Sequence, residues 1–351
     1  MTAVLFDKVL ALIPLFLLII VGLIPTLKYH IRRIPNIIVI AIIIISSMLL
    51  GLSPAEEGTD KYNYLLEFIG SHELRMTEIG WVLYSYVIKV FVGSNWLLFF
   101  LISAFFYTSS YYYVGKIIFS SDYNGYFIIM AFGLLGFAGC GNNTIRTGVA
   151  LAVIFYSFCL SKRRFFQIAL IIFAILIHKS MALPVFAYII AKKVRSPRPF
   201  EMIWLLFLSF SLIGINLEYY FDKYSYLDER IEKYGNRMGD DDIFGGFRYD
   251  FLLYSVIPLI FANVWRNKAK IKDVFYLNIY KTYLFVNSIW LLVIRMPQCN
   301  RIAYLSWFLI PILTIYPILT NMVRIKNAQK LLAFIILIFM SVNIVITFRG
   351  N

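Results

Sequence analysis

An all-α, polytopic integral membrane protein is the fold class this sequence predicts, on three observations. Hydrophobic residues make up 61% of the chain and charged residues only 15%, against about 25% charged in soluble domains. Apolar runs of roughly 20 residues, the length a helix needs to cross a hydrocarbon core, recur from end to end. Basic residues sit in short clusters between those runs, as orientation signals do. The mean hydropathy of +0.77 agrees. No stretch is long enough for a separate soluble domain, so residues 1–351 read as one transmembrane domain. The net charge of +14 therefore speaks of orientation. Membrane lipids are the implied surroundings, and nucleic acid is excluded as a partner.

The first two spans, 9–27 and 34–53, are separated by KYHIRR, whose Lys28, Arg32 and Arg33 mark the cytoplasmic side. The first run lacks a basic n-region and a clear small-x-small cleavage site, so it reads as a span rather than a removed signal peptide. The N-terminus is then outside, and so is the loop from Ser53 to Gly80, where Glu56, Glu57, Asp60, Glu67, Glu73 and Glu78 face only Lys61 and Arg75. The next apolar segment, 81–93, is about 13 residues, or roughly 20 Å as a helix, short of a hydrocarbon core of about 30 Å. Parity decides its status. If it crosses, the clusters SKRR, KKVRSPR, WRNKAKIK and VRIKNAQK all land outside; if it lies at the interface or re-enters, all four land inside with KYHIRR. The second reading is adopted.

Further spans follow at 96–114, 125–140, 144–160, 165–177, 179–191, 200–217, 250–265, 273–294, 300–322 and 330–348. With the first two they give about 12 crossings, some short or re-entrant, with both termini outside. The internal loops then carry the basic clusters and Lys116 against only Asp122 and Asp273. Residues 165–191 have two basic flanks. Two limbs folded at IHKSMALP keep both flanks inside, with Pro184 in the first turns of the second limb, where a missing N–H is tolerated. One long span with His178 near its middle is the other reading. The polar stretch 218–250 is an external loop too small to be an independent domain.

Candidate chemistry gathers on the external face: Asp60, Glu78, Arg146, His178, Arg248, Asp250, Arg295 and Arg301 fall at external loops or span ends. External loops carry charges anyway, yet the positive-inside rule predicts few arginines there. An arginine offers a planar fork of donors that matches phosphate or carboxylate. Arg146 follows the GCGNN turn at the start of a helix, where N-terminal N–H groups favour an anion; snorkelling or capping is its bland alternative. His178, beside Asp60 or Glu78, has the pKa range of a general base, and a turn histidine bonded to backbone is the alternative. The run Asp240, Asp241, Asp242 reads as a solvated loop before it reads as a metal site. Tyr62, Tyr64, Tyr219, Tyr220, Tyr224 and Tyr226 suit stacking on sugars or an interfacial belt. Cys140, Cys159 and Cys299 make no disulfide framework or metal spacing. No phosphate loop, zinc motif or nucleophile elbow is present, so no cofactor or metal is expected.

In order along the chain, GTDKYNY (58–64), EIGW (78–81), IRTGVA (145–150), HKSMALP (178–184) and RIAYL (301–305) resemble the EpsG family of exopolysaccharide and O-antigen polymerases, the Wzy-type enzymes. Two departures stand out: Thr147 where the family often has glutamine, and the unmatched stretch 218–250. The resemblance implies a GT-C-like glycosyltransferase of the bacterial inner membrane, active on its periplasmic face. Its substrate would be an undecaprenyl-pyrophosphate-linked oligosaccharide, extended with release of undecaprenyl pyrophosphate, alongside a flippase and a chain-length regulator of the same pathway. The family pattern carries over to Asp60, Tyr64, Glu78, Arg146, His178 and Arg301. On this view His178, Glu78 and Asp60 are candidate bases, Arg146, Arg301, Arg295 and Arg248 candidate pyrophosphate ligands, and Tyr64 a glycan contact. A lipid-linked glycan flippase or transporter, a glycan ligase and a non-catalytic assembly subunit are the rival readings.

Overall fold

The computed structural model describes residues 9, 12, 31, 34–70, 78–119, 123–160, 163–215, 246–296, 298–323 and 325–349. Apart from those isolated positions, the expected span 9–27, the KYHIRR cluster and residues 218–245, with Asp240 to Asp242 and Tyr219 to Tyr226, lie outside them. Every regular element among the described residues is helical. The chain divides into two compact units, residues 1–182 with 314–351, and residues 183–313.

In the first unit, α1 (Asn36–Leu52) lies along α4 (Trp96–Ile118), where the Ser47 and Thr108 hydroxyls bond at 2.6 Å. One face of α1 buries Val39, Ile42, Ile43 and Ser46, yet the other exposes Ile37, Ile40, Ile44 and Met48. A water-soluble helix is polar on its outer face. A helix apolar on both faces, with its polar side chains turned inward, belongs in hydrocarbon. The short helix α3 (Ile79–Val92) repeats the pattern, with Leu83, Val90 and Phe91 outward and Trp81 and Ile88 inward.

Between α1 and α3, the acidic loop holds a helix that hydropathy alone does not show. Helix α2 (Asp60–Ile69) is capped by Thr59, whose hydroxyl accepts from the Tyr62 N–H, and stopped by Gly70 at a left-handed φ of 86°. It buries Lys61, Tyr64 and Phe68, a stripe on one helical face.

The expected span 125–140 is not one helix. It is α5 (Asn124–Phe132) and α6 (Leu135–Asn142), bent by 77° at Gly133 and Leu134. The cause is tertiary: a Cβ on Gly133 would meet Met340 Cγ at 2.8 Å, so α15 (Ala328–Arg349) crosses where the helix breaks. Helix α7 (Ile145–Cys159) then packs against α4 and against α8 (Arg164–Ile177). The run 165–191 breaks at His178: α8 ends at Ile177, a 3-10 turn covers Lys179–Met181, and α9 (Ala182–Lys193) begins with Pro184 in its first turn.

The second unit is built on α10 (Arg198–Leu212), α11 (Tyr249–Ala269), α12 (Val274–Leu291) and α13 (Asn300–Trp307), continued by α14 (Ile310–Leu319). Its core ties large aromatics by their polar tips. Trp204 Nε1 donates to Asn287 Oδ1 at 2.8 Å, Trp307 Nε1 to Ser255 Oγ at 2.8 Å, and Tyr283 OH to Ser255 O at 2.8 Å. Buried donors are thereby satisfied without water.

Among the described residues, three helices are long and apolar enough to cross a membrane: Trp96–Ile118, Asn300–Leu319 and Ala328–Phe348. The bent pair adds a fourth if it is one span. Asn36–Leu52, Ile79–Val92, Ile145–Cys159 and Arg164–Ile177 are apolar but shorter. The described residues are all-helical, with several helices apolar enough for a membrane protein.

Candidate active site

Three helix ends meet in the first unit. Glu78 immediately precedes α3, Arg146 sits in the first turn of α7, and His178 ends α8. The Glu78 carboxylate pairs through Oε2 with Arg146 Nη1, and its Oε1 lies 3.3 Å from His178 Nδ1. Exposure falls from the histidine inward, at 23% for His178, 12% for Arg146 and 2% for Glu78. The imidazole is therefore the open member and the carboxylate the closed one.

Local sequence explains the meeting. A Cβ on Gly80 would lie 2.5 Å from the Ile177 nitrogen, so α3 rests directly on the backbone at the end of α8. Only glycine permits that approach, and it brings Glu78 to His178. A Cβ on Gly148 would lie 2.3 Å from the Cys140 carbonyl oxygen, so α7 starts against the backbone of α6 and aims Arg146. Thr144, before α7, gives its hydroxyl to Gly139 O at 3.1 Å and does not cap the helix. The first-turn N–H groups of α7 thus lack a side-chain cap, as an anion site at a helix N-terminus requires.

Aromatic rings floor the cluster. The Arg146 guanidinium sits 5.6 Å from the Tyr64 ring centroid, and Tyr64 lies 5.3 Å from Trp81. Tyr64 is itself buried. Arg146 Nε is buried and has no hydrogen-bond partner among the described residues.

The asparagine turn before Arg146 ties the acidic loop to this floor. Asn143 Oδ1 accepts from the Asp60 N–H at 3.0 Å, and Asn142 Oδ1 accepts from the Ser53 hydroxyl. Lys61, 1% exposed, donates to Leu50 O at 3.0 Å and Ser53 O at 2.7 Å, closing the C-terminal end of α1. Sequence reasoning missed Lys61, Asn142, Asn143 and both glycines. The spacing was the available signal: in EIG and RTG alike, a glycine stands two places after the charge.

The remaining candidates lie in the second unit. Arg248 is clasped by Asp250 through Nε at 2.9 Å and Nη2 at 2.7 Å, and it lies 3.7 Å from the Phe251 centroid. Its hydrogen bonds to Asp250 raise the guanidinium pKa against partial burial. Arg295 sits 5.2 Å from the Phe247 centroid, with Nη2 3.5 Å from Ser211 O. Arg301 is in the first turn of α13. All three cysteines are free, and burial pushes the Cys299 thiol up to about 11.

Residues 36–351 match the profile of the EpsG family, a span that runs through both units and every motif named above. No curated protein matches the chain. No solved structure matches it either. Family membership points to a role of the polysaccharide-polymerase type, and with it a glycosyltransferase-like activity. On a match covering most of its length, in an all-helical membrane architecture, the chain belongs to the EpsG family.

Proposed function

We propose that this chain polymerises lipid-pyrophosphate-linked oligosaccharide repeat units at the periplasmic face of a bacterial inner membrane. The growing glycan is transferred from one undecaprenyl pyrophosphate carrier to a new carrier-linked unit. The observation that carries this reading is the buried cluster of Glu78, Arg146 and His178 at three helix ends, in a member of the EpsG family. In the proposed topology the full chain forms one transmembrane domain of about 12 crossings, GT-C-like, with this cluster on the outer face.

The chemistry follows from the residues. The acceptor hydroxyl gives its proton to His178 as its oxygen bonds the anomeric carbon of the donor sugar, and the bond from that carbon to the pyrophosphate oxygen breaks. The electron pair leaves with the pyrophosphate, and the anomeric centre inverts. Arg146 meets the developing negative charge: its buried Nε has no hydrogen-bond partner among the described residues, and it stands at a helix start with no side-chain cap among them. Arg301, Arg295 and Arg248 are proposed as further pyrophosphate ligands, with Arg248 the most committed elsewhere, to Asp250. Tyr64 acts from beneath Arg146, and Asp60, tied to Asn143, shapes the glycan side.

The glycan profile of a strain lacking this chain tests the reading. Loss of the polymer ladder with survival of a single capped repeat is expected of a polymerase. Loss of all capped glycan would overturn it in favour of a flippase or ligase.

A further inference from the structure

Of the three residues at the cluster, Glu78 is the one whose surroundings fit it least for proton transfer. It is 2% exposed, one carboxylate oxygen is taken by Arg146, and the other faces His178 Nδ1 at 3.3 Å. Arginine keeps its charge at any relevant pH, and a carboxylate held by it accepts hydrogen bonds but donates none. The histidine nitrogen facing it must therefore carry the hydrogen. In a neutral imidazole that leaves the lone pair on the other nitrogen, Nε2.

We propose that Glu78 is a positioning residue: it fixes His178 as the Nδ1–H tautomer and presents Nε2 as the base. The inference rests on the polymerase reading for the identity of the proton donor, a sugar hydroxyl, and adds to it the atom that receives the proton. The proton passes from the acceptor hydroxyl to Nε2, the imidazolium that forms is held by the Glu78 carboxylate, and the carboxylate stays ionised. Arg146 completes the chain by holding Glu78 in its rotamer. Three backbone features lock the pair. Glu78 O accepts from the N–H groups of Trp81 at 3.0 Å and Val82 at 3.2 Å, fixing the residue as the start of α3. The His178 N–H donates to Ala174 O at 3.0 Å, fixing the end of α8. Gly80 sets one against the other.

The decisive substitution is Glu78→Gln, because an amide keeps the shape but can turn its NH2 toward Nδ1 and select the opposite tautomer. The full chain, labelled with 15N-histidine and placed in lipid nanodiscs, carries three histidines. The His178 signals are identified as those lost in H178Q. The expected wild-type spectrum shows hydrogen on Nδ1, and E78Q shows it shifted to Nε2. Polymer extension in E78Q should fall about 10⁴-fold in kcat, as loss of a histidine-orienting carboxylate does elsewhere, with KM for the lipid-linked donor nearly unchanged. E78D, which keeps the charge, should retain the Nδ1–H form and lie between the two in rate. Hydrogen on Nε2 in the wild-type spectrum overturns the proposal whether or not any variant folds, and so does an E78Q protein with unchanged kcat. The spectrum needs no glycan, so a chain that makes no polymer refutes the functional reading while the tautomer still decides this one.

Discussion

Each unit contains a glutamate, an arginine and a tyrosine in contact, and the two sets are assembled to different ends. In the second unit Arg266 pairs with Glu201 and lies 4.8 Å from the Tyr280 centroid, while Tyr280 OH donates to Glu201 Oε1 at 3.0 Å. Burial is the largest single influence and works against the Arg266 charge, but the hydrogen bonds and charges of Glu201 and Tyr280 together raise its pKa. That set is self-contained and joins the start of α10 to the end of α11. In the first unit the same residue types include a histidine and leave the buried Arg146 Nε with no hydrogen-bond partner among the described residues. A clasp satisfies its own polar groups, whereas a site keeps a donor for something else.

The largest expected contrast comes from deleting the two arginines. Arg146→Ala should lower polymer formation by about 10²–10³-fold, the effect of losing a donor to a developing anion, and Arg146→Lys should not restore it, because an ammonium lacks the planar fork. Arg266→Ala should leave the polymer ladder intact and cost about 1 kcal/mol of stability, as part-exposed ion pairs do. Complementation assays and thermal unfolding in detergent separate the two. A full ladder from R146A would remove the distinction.

The next contrast is between glycines. Gly80→Val forces α3 off the backbone of α8, where a Cβ would already sit 2.5 Å from Ile177 N. Misplacing the pair by about 1 Å should cost on the order of 10²-fold in rate. Gly246→Ala, in the second unit, meets nothing within 4 Å and should change neither rate nor unfolding temperature.

The smallest contrast is between two buried lysines. Lys61 closes the end of α1, and Lys281 closes the end of α9 by donating to Ala191 O and, at 2.6 Å, to Val194 O. Replacing either by Met takes the lysine donor from carbonyls such as Ser53 O and Ala191 O, at about 1–3 kcal/mol each. Both variants should unfold earlier. Only K61M should also lose activity, several-fold, because Lys61 anchors the helix that carries Tyr64.

The break at His178 was legible because it left three marks in the sequence: basic residues on both flanks, a polar interruption, and Pro184 at the tolerated position. The bend at Gly133 left only the glycine itself. Its run is otherwise apolar, and the residue that packs against the bend, Met340, lies far along the chain. Helix α2 did leave marks, the Thr59 cap and the Gly70 stop, but hydropathy scanning passes over a helix whose exposed face is acidic. Glu78, Arg146 and His178 stood out as polar groups at span ends, and His178 was set beside Asp60 or Glu78 only because they share a face. That Glu78 touches a histidine 100 residues later is a property of helix packing, set by one glycine contact that composition does not record.

Those glycine contacts carry a consequence for how such a chain can diversify. Lipid-facing positions such as Ile37 or Phe91 can drift among apolar residues, since hydrocarbon accepts them all. At Gly80 and Gly148 the tolerance is less than one methyl group, because the atom that would be struck is backbone. A saturation library should therefore show Gly80 and Gly148 among its intolerant positions, each two residues beyond a charge and neither able to react with anything. New sugar preferences would have to arise in segments that do not bear on those crossings.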